Sequence, residues 1–316
     1  MPMPPHINPQ ADQVLIAVNP RSGRGPSAAL VEALAAELSR RQLHPRLIGD
    51  LDQLASAAAR LHAAGSLRLV VTAGGDGTLA EVVNRVGPEM VLAPFPLGTA
   101  NLMANYLGFS RDVPRMAGAI AAGQTTQLDA GLANGRIFLM MIGCGFDGEV
   151  VHRLHAARQG HIRYWSYLKP VWSAIRSYQY PALRIYCDPL PDGTSEPLTA
   201  AFAFVSNLPT YGGGFRFSPL ADPADGQLNV CALRGASLWR GLWYAALARA
   251  GRLDWSKGCQ QATCRRLRIE ADGPARYQLD GDPGGQLPLD VAVLPRRLTL
   301  LAMPDTARPE EVADRA

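Results

Sequence analysis

Residues 67–73 form a largely apolar run, Gly74-Gly75-Asp76-Gly77-Thr78 follows at once, and residues 79–83 then open with helical character. A strand that ends in glycines and feeds a helix leaves main-chain N–H groups free at the helix N-terminus, where phosphate binds. The implied ligand is a nucleotide. Asp76 narrows this further, because a carboxylate beside phosphates repels them unless a divalent cation lies between the two. A nucleotide with Mg is the economical solution.

The same arrangement recurs twice. Asn19-Pro20-Arg21-Ser22-Gly23-Arg24-Gly25 lies between apolar residues 14–18 and a helical pattern over 28–38, with Pro26 suited to its first turn. Its amides and the Ser22 hydroxyl could hold phosphate oxygens, although a tight turn without a ligand reads as well. Pro96-Leu97-Gly98-Thr99-Ala100-Asn101 joins a strand pattern over 91–96 to a helical one over 101–107. With further helical stretches at 54–62 and 79–84, this alternation predicts a parallel sheet covered by helices on both faces. Three polar, glycine-bearing loops that all follow strands would lie at its carboxyl edge, where open α/β folds bind ligands.

After Asp129 the texture changes to short β-forming runs at 137–142, 183–187, 201–205, 228–233, 267–270, 277–279, 291–294 and 298–301, separated by Gly, Pro, Asp and Asn. An antiparallel sandwich or barrel-like domain is predicted, with a boundary near residue 130 and helical insertions at about 149–177 and 237–253. The Pro-rich start, residues 1–12, and the polar tail after Pro304 are expected to be loose.

A chain of 316 residues is long enough for two such domains, and 47% hydrophobic with 18% charged residues is the composition of a soluble globular protein. The net charge of +4 fits an anionic ligand or membrane surface. It is too small to argue for nucleic acid, and no aromatic-and-basic stacking motif accompanies it. No apolar stretch reaches membrane-spanning length, and Met1-Pro2-Met3-Pro4-Pro5-His6 lacks a signal-peptide layout, so a cytoplasmic location is expected. Cys144, Cys187, Cys231, Cys259 and Cys264 are odd in number, contain no C-x-x-C pair and read as small buried hydrophobes.

Two constellations in the second half carry chemistry. Tyr211-Gly212-Gly213-Gly214 precedes Asp222-Pro223-Ala224-Asp225-Gly226, where Asp225 with neighbouring carbonyls could bind a hard cation; an ordinary turn before the next strand is the plainer alternative. In Leu279-Asp280-Gly281-Asp282-Pro283, two carboxylates flanking a glycine could deprotonate a hydroxyl, or could simply be a solvated turn. His152, His155 and His161 sit among Arg153, Arg158, Arg163, Lys169 and Arg176, a pattern of a solvated or anion-facing helix rather than of a metal site. Trp239, Trp243 and Leu247 recur at helical spacing, which predicts a core-facing stripe, with an acyl-chain or membrane-facing surface as the functional alternative.

Taken in order, these motifs resemble the bacterial diacylglycerol kinase and lipid kinase family, itself similar to the catalytic domains of sphingosine and ceramide kinases. The resemblance rests on seven segments in register: the Asn19 loop, Gly74 to Thr78 with Glu81-Val82-Val83-Asn84, the Pro96 loop, Asp129, Gly143-x-Gly145-Phe146-Asp147, Tyr211 through Gly226, and Asp280-Gly281. It implies a phosphofructokinase-like α/β domain over residues 1–130 and an antiparallel β-sandwich lipid-substrate domain over 131–289. Residues from about 290 to 316 would return to the first domain, and the active site would lie in the cleft between the two.

By the same resemblance, ATP would contact Asn19, Pro20, Arg21, Ser22, Gly23, Gly74, Gly75, Asp76, Gly77, Thr78, Leu79, Ala80 and Thr99. Asp76 would meet the catalytic Mg with Asp129 in support. A structural Mg would take the Asp225 carboxylate and the carbonyls of Asp222 and Gln227. Asp282 would be the general base, with Asp280 beside it. The implied activity is ATP-dependent phosphorylation of a hydroxyl on a diacylglycerol-like or sphingoid lipid, by an enzyme that touches the membrane surface transiently; a homodimer is compatible with it. An NAD kinase-like enzyme of the same fold, and a non-catalytic lipid- or nucleotide-binding relative, are the alternatives. Departures from the family pattern are Asp282 in place of glutamate, Ala80 in place of asparagine, Leu102 in place of aspartate, and no threonine in Leu47-Ile48-Gly49-Asp50-Leu51.

Overall fold

The apolar runs of the first half become parallel strands in the computed structural model, which describes residues 7–18, 26–157, 178–188 and 196–303. Strands β1 (Gln13–Val18), β2 (His44–Ile48), β3 (Leu67–Gly74) and β4 (Val91–Pro96) lie in the order β2-β1-β3-β4, each neighbouring pair parallel. A fifth parallel strand comes from the end of the chain, where Thr299 and Leu300 register with Val91 and Leu92. All eight residues of β3 are buried, as a central strand of an α/β sheet must be. Helices α1 (Pro26–Arg40), α2 (Leu51–Ala63) and α3 (Asp76–Val83) make the crossovers, and α4 (Leu102–Tyr106) and α5 (Val113–Ala122) follow β4.

Local chemistry sets these boundaries. Asp50 caps α2 by accepting from the Gln53 amide at 2.8 Å, and Asp112 caps α5 by accepting from the Arg115 amide at 3.0 Å. Gly123, at φ 69°, ends α5 in the left-handed conformation that L side chains resist. Arg68, at the start of β3, is buried and donates to the carbonyls of Ile120, Ala11 and Ala121 at 2.8, 3.0 and 2.6 Å. One side chain thereby ties the sheet to the end of α5.

The second half is a sandwich of two antiparallel sheets. One has the order β12-β11-β10-β7-β14-β15, built from β7 (Met141–Gly145), β10 (Phe202–Ser206), β11 (Leu228–Leu233), β12 (Cys259–Cys264), β14 (Arg276–Leu279) and β15 (Asp282–Gln286). The other is built from β8 (Leu183–Asp188), β9 (Leu198–Ala200), β13 (Arg266–Ala271) and the first part of β16 (Leu289–Leu301), with β5 (Thr125–Ala133) and β6 (Arg136–Phe138) as a hairpin beside β16. Ile142, Val205 and Val230 from the first sheet meet Ile185, Ile269 and Val291 from the second in one core. On the opposite face of β10, Phe202 and Phe204 pack with Tyr244, Leu247 and Ala248 of α7 (Leu238–Ala250), so β10 is buried on both sides.

Several elements depart from the sequence pattern. The run at 137–142 divides into β6 and β7, which belong to different sheets. The runs at 291–294 and 298–301 are instead one strand, β16, which carries Arg296 at φ 51° and changes partner from antiparallel β13 to parallel β4. Compact units divide where the chain passes through β5 and β16: the first unit ends at Leu128 and resumes at Arg297, the second runs Asp129–Arg296. Of the insertion expected at 149–177, α6 (Phe146–Ala157) is described, and His161, Arg158, Arg163, Lys169 and Arg176 lie outside the described residues. The five cysteines are free thiols, four of them buried and Cys259 partly so.

The tryptophan stripe is corrected. Leu247 is buried, but Trp239 and Trp243 are 79% and 57% exposed. Residues four apart drift about 40° around a helix, so over eight residues the row turns from one face of α7 towards another.

Candidate active site

In the first unit two of the three glycine loops come together, while the Asn19-Pro20-Arg21-Ser22-Gly23 loop lies outside the described residues. Gly74 ends β3, Gly75 precedes α3, and Asp76 is the first residue of that helix. No side chain caps α3, which leaves its first amides open to an anionic ligand. The loop after β4 touches it backbone to backbone: a Cβ on Gly98 would stand 2.5 Å from the Gly75 Cα, so only glycine fits. Asn101, at φ 51° and buried, fixes the second loop by accepting from the Gly98 amide at 3.0 Å and donating to its carbonyl at 2.9 Å.

Asp76 bridges the two loops. Its carboxylate accepts from the amides of Leu102 and Met103 at 3.0 and 3.3 Å, at the start of α4. Each oxygen keeps a further lone pair for water or a hard cation, so the residue fits the metal-facing role that the motif implies. Gly75, Gly77 and Thr78 are half-exposed around it and Thr99 is exposed, whereas the side chains of Leu79 and Ala80 are buried. Any contact of those last two with a ligand would be through main chain. At the carboxyl end of β2, a polar hollow of about 650 Å³ is lined by Arg46, Asp50, Gln53 and Arg60 among others.

In the second unit, Asp129 and Asp280 spend their carboxylates on the backbone. Asp129, 1% exposed, accepts from the amides of Gly226 and Arg296 at 2.7 and 2.6 Å, pinning the 222–227 loop to the bend in β16. Asp225 in that loop accepts from the Gln227 amide at 2.8 Å, and Asp222 from the Ala224 amide at 3.0 Å. Burial, then the proximity of Asp222 and Asp129, raises the Asp225 carboxyl from its ordinary value. A cation would relieve that crowding, which is how this donor set fits Mg. Among the described residues no three His, Cys, Asp or Glu side chains group to hold a metal by themselves, so carbonyls such as those of Asp222 and Gln227 would have to complete the shell.

The Asp280-Gly281-Asp282 segment is the turn between β14 and β15, with Asp280 at φ 53° and Gly281 at φ 88°. Asp280 accepts from the amides of Leu139, Met140 and Met141 at 2.7, 2.8 and 3.0 Å. With both oxygens so engaged, Asp280 suits positioning better than proton transfer. Asp282 points elsewhere: its side chain is 35% exposed, with Arg136 Nη2 3.6 Å from its carboxylate.

A further support was not assigned a role from sequence. Gln278, fully buried, accepts from the Gly281 amide at 2.7 Å and donates to Asp147 at 3.0 Å; the Tyr211 hydroxyl reaches the same carboxylate at 3.4 Å. Burial pushes the Asp147 carboxyl up to about 6 against the pull of those two hydrogen bonds. The signal lay in the glycines: a Cβ on Gly143 would stand 1.8 Å from the Asp147 carboxylate, and one on Gly148 2.4 Å from the Arg276 carbonyl. Gly143-x-Gly145-Phe146-Asp147 and Tyr211 therefore belong to the scaffold of the carboxylate turn.

Comparison with known proteins agrees with this architecture. Residues 13–133 match the family model "Diacylglycerol kinase catalytic domain", and residues 140–302 match "YegS C-terminal NAD kinase beta sandwich-like domain". Among curated relatives, a diacylglycerol kinase of Mycobacterium tuberculosis is 27% identical over 302 residues, covering 92% of this chain and 94% of that protein. A diacylglycerol kinase of Bacillus subtilis is 26% identical over 250 residues, covering 77% of this chain and 80% of its own. Among solved structures, a diacylglycerol kinase from Bacillus anthracis superposes with TM-score 0.67 at 20% identity, covering 94% of this chain and 98% of that one. An NAD kinase from Archaeoglobus fulgidus in complex with ATP superposes with TM-score 0.55 at 10% identity, covering 96% and 97%, a likeness of fold alone.

Proposed function

We propose that this chain, which belongs to the bacterial diacylglycerol kinase and lipid kinase family, is an ATP-dependent kinase for a hydroxyl of a diacylglycerol-like or sphingoid lipid. The observation that carries the reading is the contact of Gly75 with Gly98 beneath the uncapped start of α3, with Asp76 joining the two loops. That is a cradle of amides with a carboxylate at its rim. It suits a phosphate chain that brings a cation with it.

The amides at the start of α3 would orient the triphosphate, and Asp76 would hold Mg, whose charge offsets that developing on the transferring phosphoryl. Asp282 would accept the proton of the lipid hydroxyl. Asp280 and Gln278 fix the turn that carries it. The Asp222–Asp225 loop would take a second, structural cation. Positioning and electrostatics carry most of such a transfer, so the protein has little covalent chemistry to perform.

The fold shared with an ATP-bound NAD kinase keeps a second reading open, in which the acceptor is NAD. The triple-glycine segment, Asp225-Gly226 and Asp280-Gly281-Asp282 support the lipid branch. Incubating the protein with γ-labelled ATP and Mg, with extracted membrane lipids in one arm and NAD in the other, separates the two. Label in the organic phase supports the proposal; label on NAD alone overturns it. The enzyme would work from the cytoplasm and visit the membrane surface. Among the described residues no helix is long and apolar enough to cross one.

A further inference from the structure

Helix α7 is apolar on two faces. Tyr244, Leu247 and Ala248 are buried against Phe202 and its neighbours. Away from them, Trp239, Leu242, Trp243, Ala246 and Ala250, at positions i, i+3, i+4, i+7 and i+11, are all exposed. Two tryptophans at 79% and 57% exposure, with Leu242 at 52% between them, are not what a solvated helix face displays. Just beyond the helix, Trp255 is 66% exposed and lies under the Arg252 guanidinium, 4.5 Å from its ring centroid. Tryptophan is the side chain suited to the boundary between hydrocarbon and water, with an apolar body and a polar N–H.

The charge around this face is predominantly positive. Residues 234–257 carry five basic side chains, Arg234, Arg240, Arg249, Arg252 and Lys257, and one acidic one, Asp254, and all six are exposed. Long basic side chains flanking an apolar face are the composition of a helix that lies in an anionic membrane interface.

The face is also connected to the carboxylate turn. The Ala248 carbonyl accepts from the Arg216 amide at 2.9 Å, and a Cβ on Gly214 would meet the Arg249 guanidinium at 3.5 Å. The C-terminal end of α7 therefore rests on the 211–217 loop, whose Tyr211 reaches Asp147 and, through Gln278, the Gly281 amide. We propose that the exposed face of α7, with Trp239, Leu242 and Trp243 as its apolar anchors, is the surface by which this protein docks on an anionic lipid bilayer. The choice of partner rests on the lipid kinase reading; the location of the surface rests on the structure.

The test uses the full chain and vesicles of phosphatidylcholine with and without phosphatidylglycerol. Sedimentation should recover the protein with the anionic vesicles at low salt and leave it in solution with the neutral ones. Tryptophan emission should shift to the blue on binding and be quenched by brominated acyl chains. Because both tryptophans are exposed, Trp239→Ser with Trp243→Ser should fold normally and weaken vesicle binding by about tenfold or more. Phosphorylation of a short-chain, water-soluble diacylglycerol should stay unchanged in that variant. Vesicle binding that is equal in variant and parent overturns the proposal. So does tryptophan emission already blue-shifted and shielded from acrylamide without lipid, which would mean that a second copy or another part of the chain covers the face. If the parent fails on the soluble substrate but still binds vesicles through α7, the kinase reading fails and the docking surface stands.

Discussion

Two aspartates, Asp147 beneath the Asp280–Asp282 turn and Asp280 within it, report on it in opposite ways. Asp147, partly buried, has its carboxyl pushed up to about 6, so the folded chain holds this proton more tightly than the unfolded chain, where an aspartate titrates near 4. As pH rises from roughly 4 to 6, the unfolded state releases the proton first and stability falls; above about 6 the whole cost of an ionised Asp147 is present. Asp147→Asn keeps an acceptor for Gln278 and cannot ionise. It should therefore be more stable than the parent by about 1–2 kcal/mol at pH 8 and equal to it near pH 4, read from urea midpoints across pH. A difference that does not change between those pH values would contradict the assignment. Asp280→Asn is the converse case, since asparagine tolerates φ 53° but can accept with one oxygen only. The amides of Leu139, Met140 and Met141 then compete for one acceptor, at a predicted cost of about 2–3 kcal/mol in denaturant melts.

Among the elements, Arg68 is the side chain whose loss should loosen the first unit most, because three carbonyls depend on its guanidinium. Arg68→Met keeps the stem and removes the donors; a loss of about 2 kcal/mol is expected, with hydrogen exchange speeding up first in α5. Legibility in sequence followed burial. Strand β3, buried throughout, reads as an apolar run, and the glycine junctions read because close backbone approach and free amides demand glycine. Strand β2, His44-Pro45-Arg46-Leu47-Ile48, did not read as a strand: it is an edge strand, largely exposed, with a proline that an edge tolerates. The division of 137–142 into β6 and β7 was hidden because the residues between them, Leu139 and Met140, are as apolar as the strands; the break is marked by distant partners, the Asp280 carboxylate that binds their amides and Asn207, which donates to the Leu139 carbonyl. The face of α7 misled for a related reason, since composition shows that a helix is apolar all round but not which side is covered.

At the scale of the whole molecule, the chain forms two folding units joined through β5 and β16. One unit carries the amide cradle and Asp76, the other the carboxylate turn and the exposed aromatic helix. The change of texture near residue 130 was visible because a parallel sheet and a sandwich bury their strands differently, whereas the return of the chain's end was implied only by the family resemblance. The bend at Arg296 that makes the return was not readable, since it depends on Asp129 holding its amide from 167 positions away. The central claim is that nucleotide binding and proton acceptance reside in separate units, on Asp76 with its loops and on Asp282 respectively. The direct measurement is ATP affinity by calorimetry in the presence of Mg, together with transfer of label from ATP to lipid, for the parent, Asp76→Asn and Asp282→Asn. Asp282→Asn should bind ATP as the parent does and lose transfer by about a hundredfold or more, while Asp76→Asn should lose Mg-dependent ATP affinity as well. Full transfer by Asp282→Asn, or unchanged Mg-dependent ATP binding in Asp76→Asn, would contradict the account.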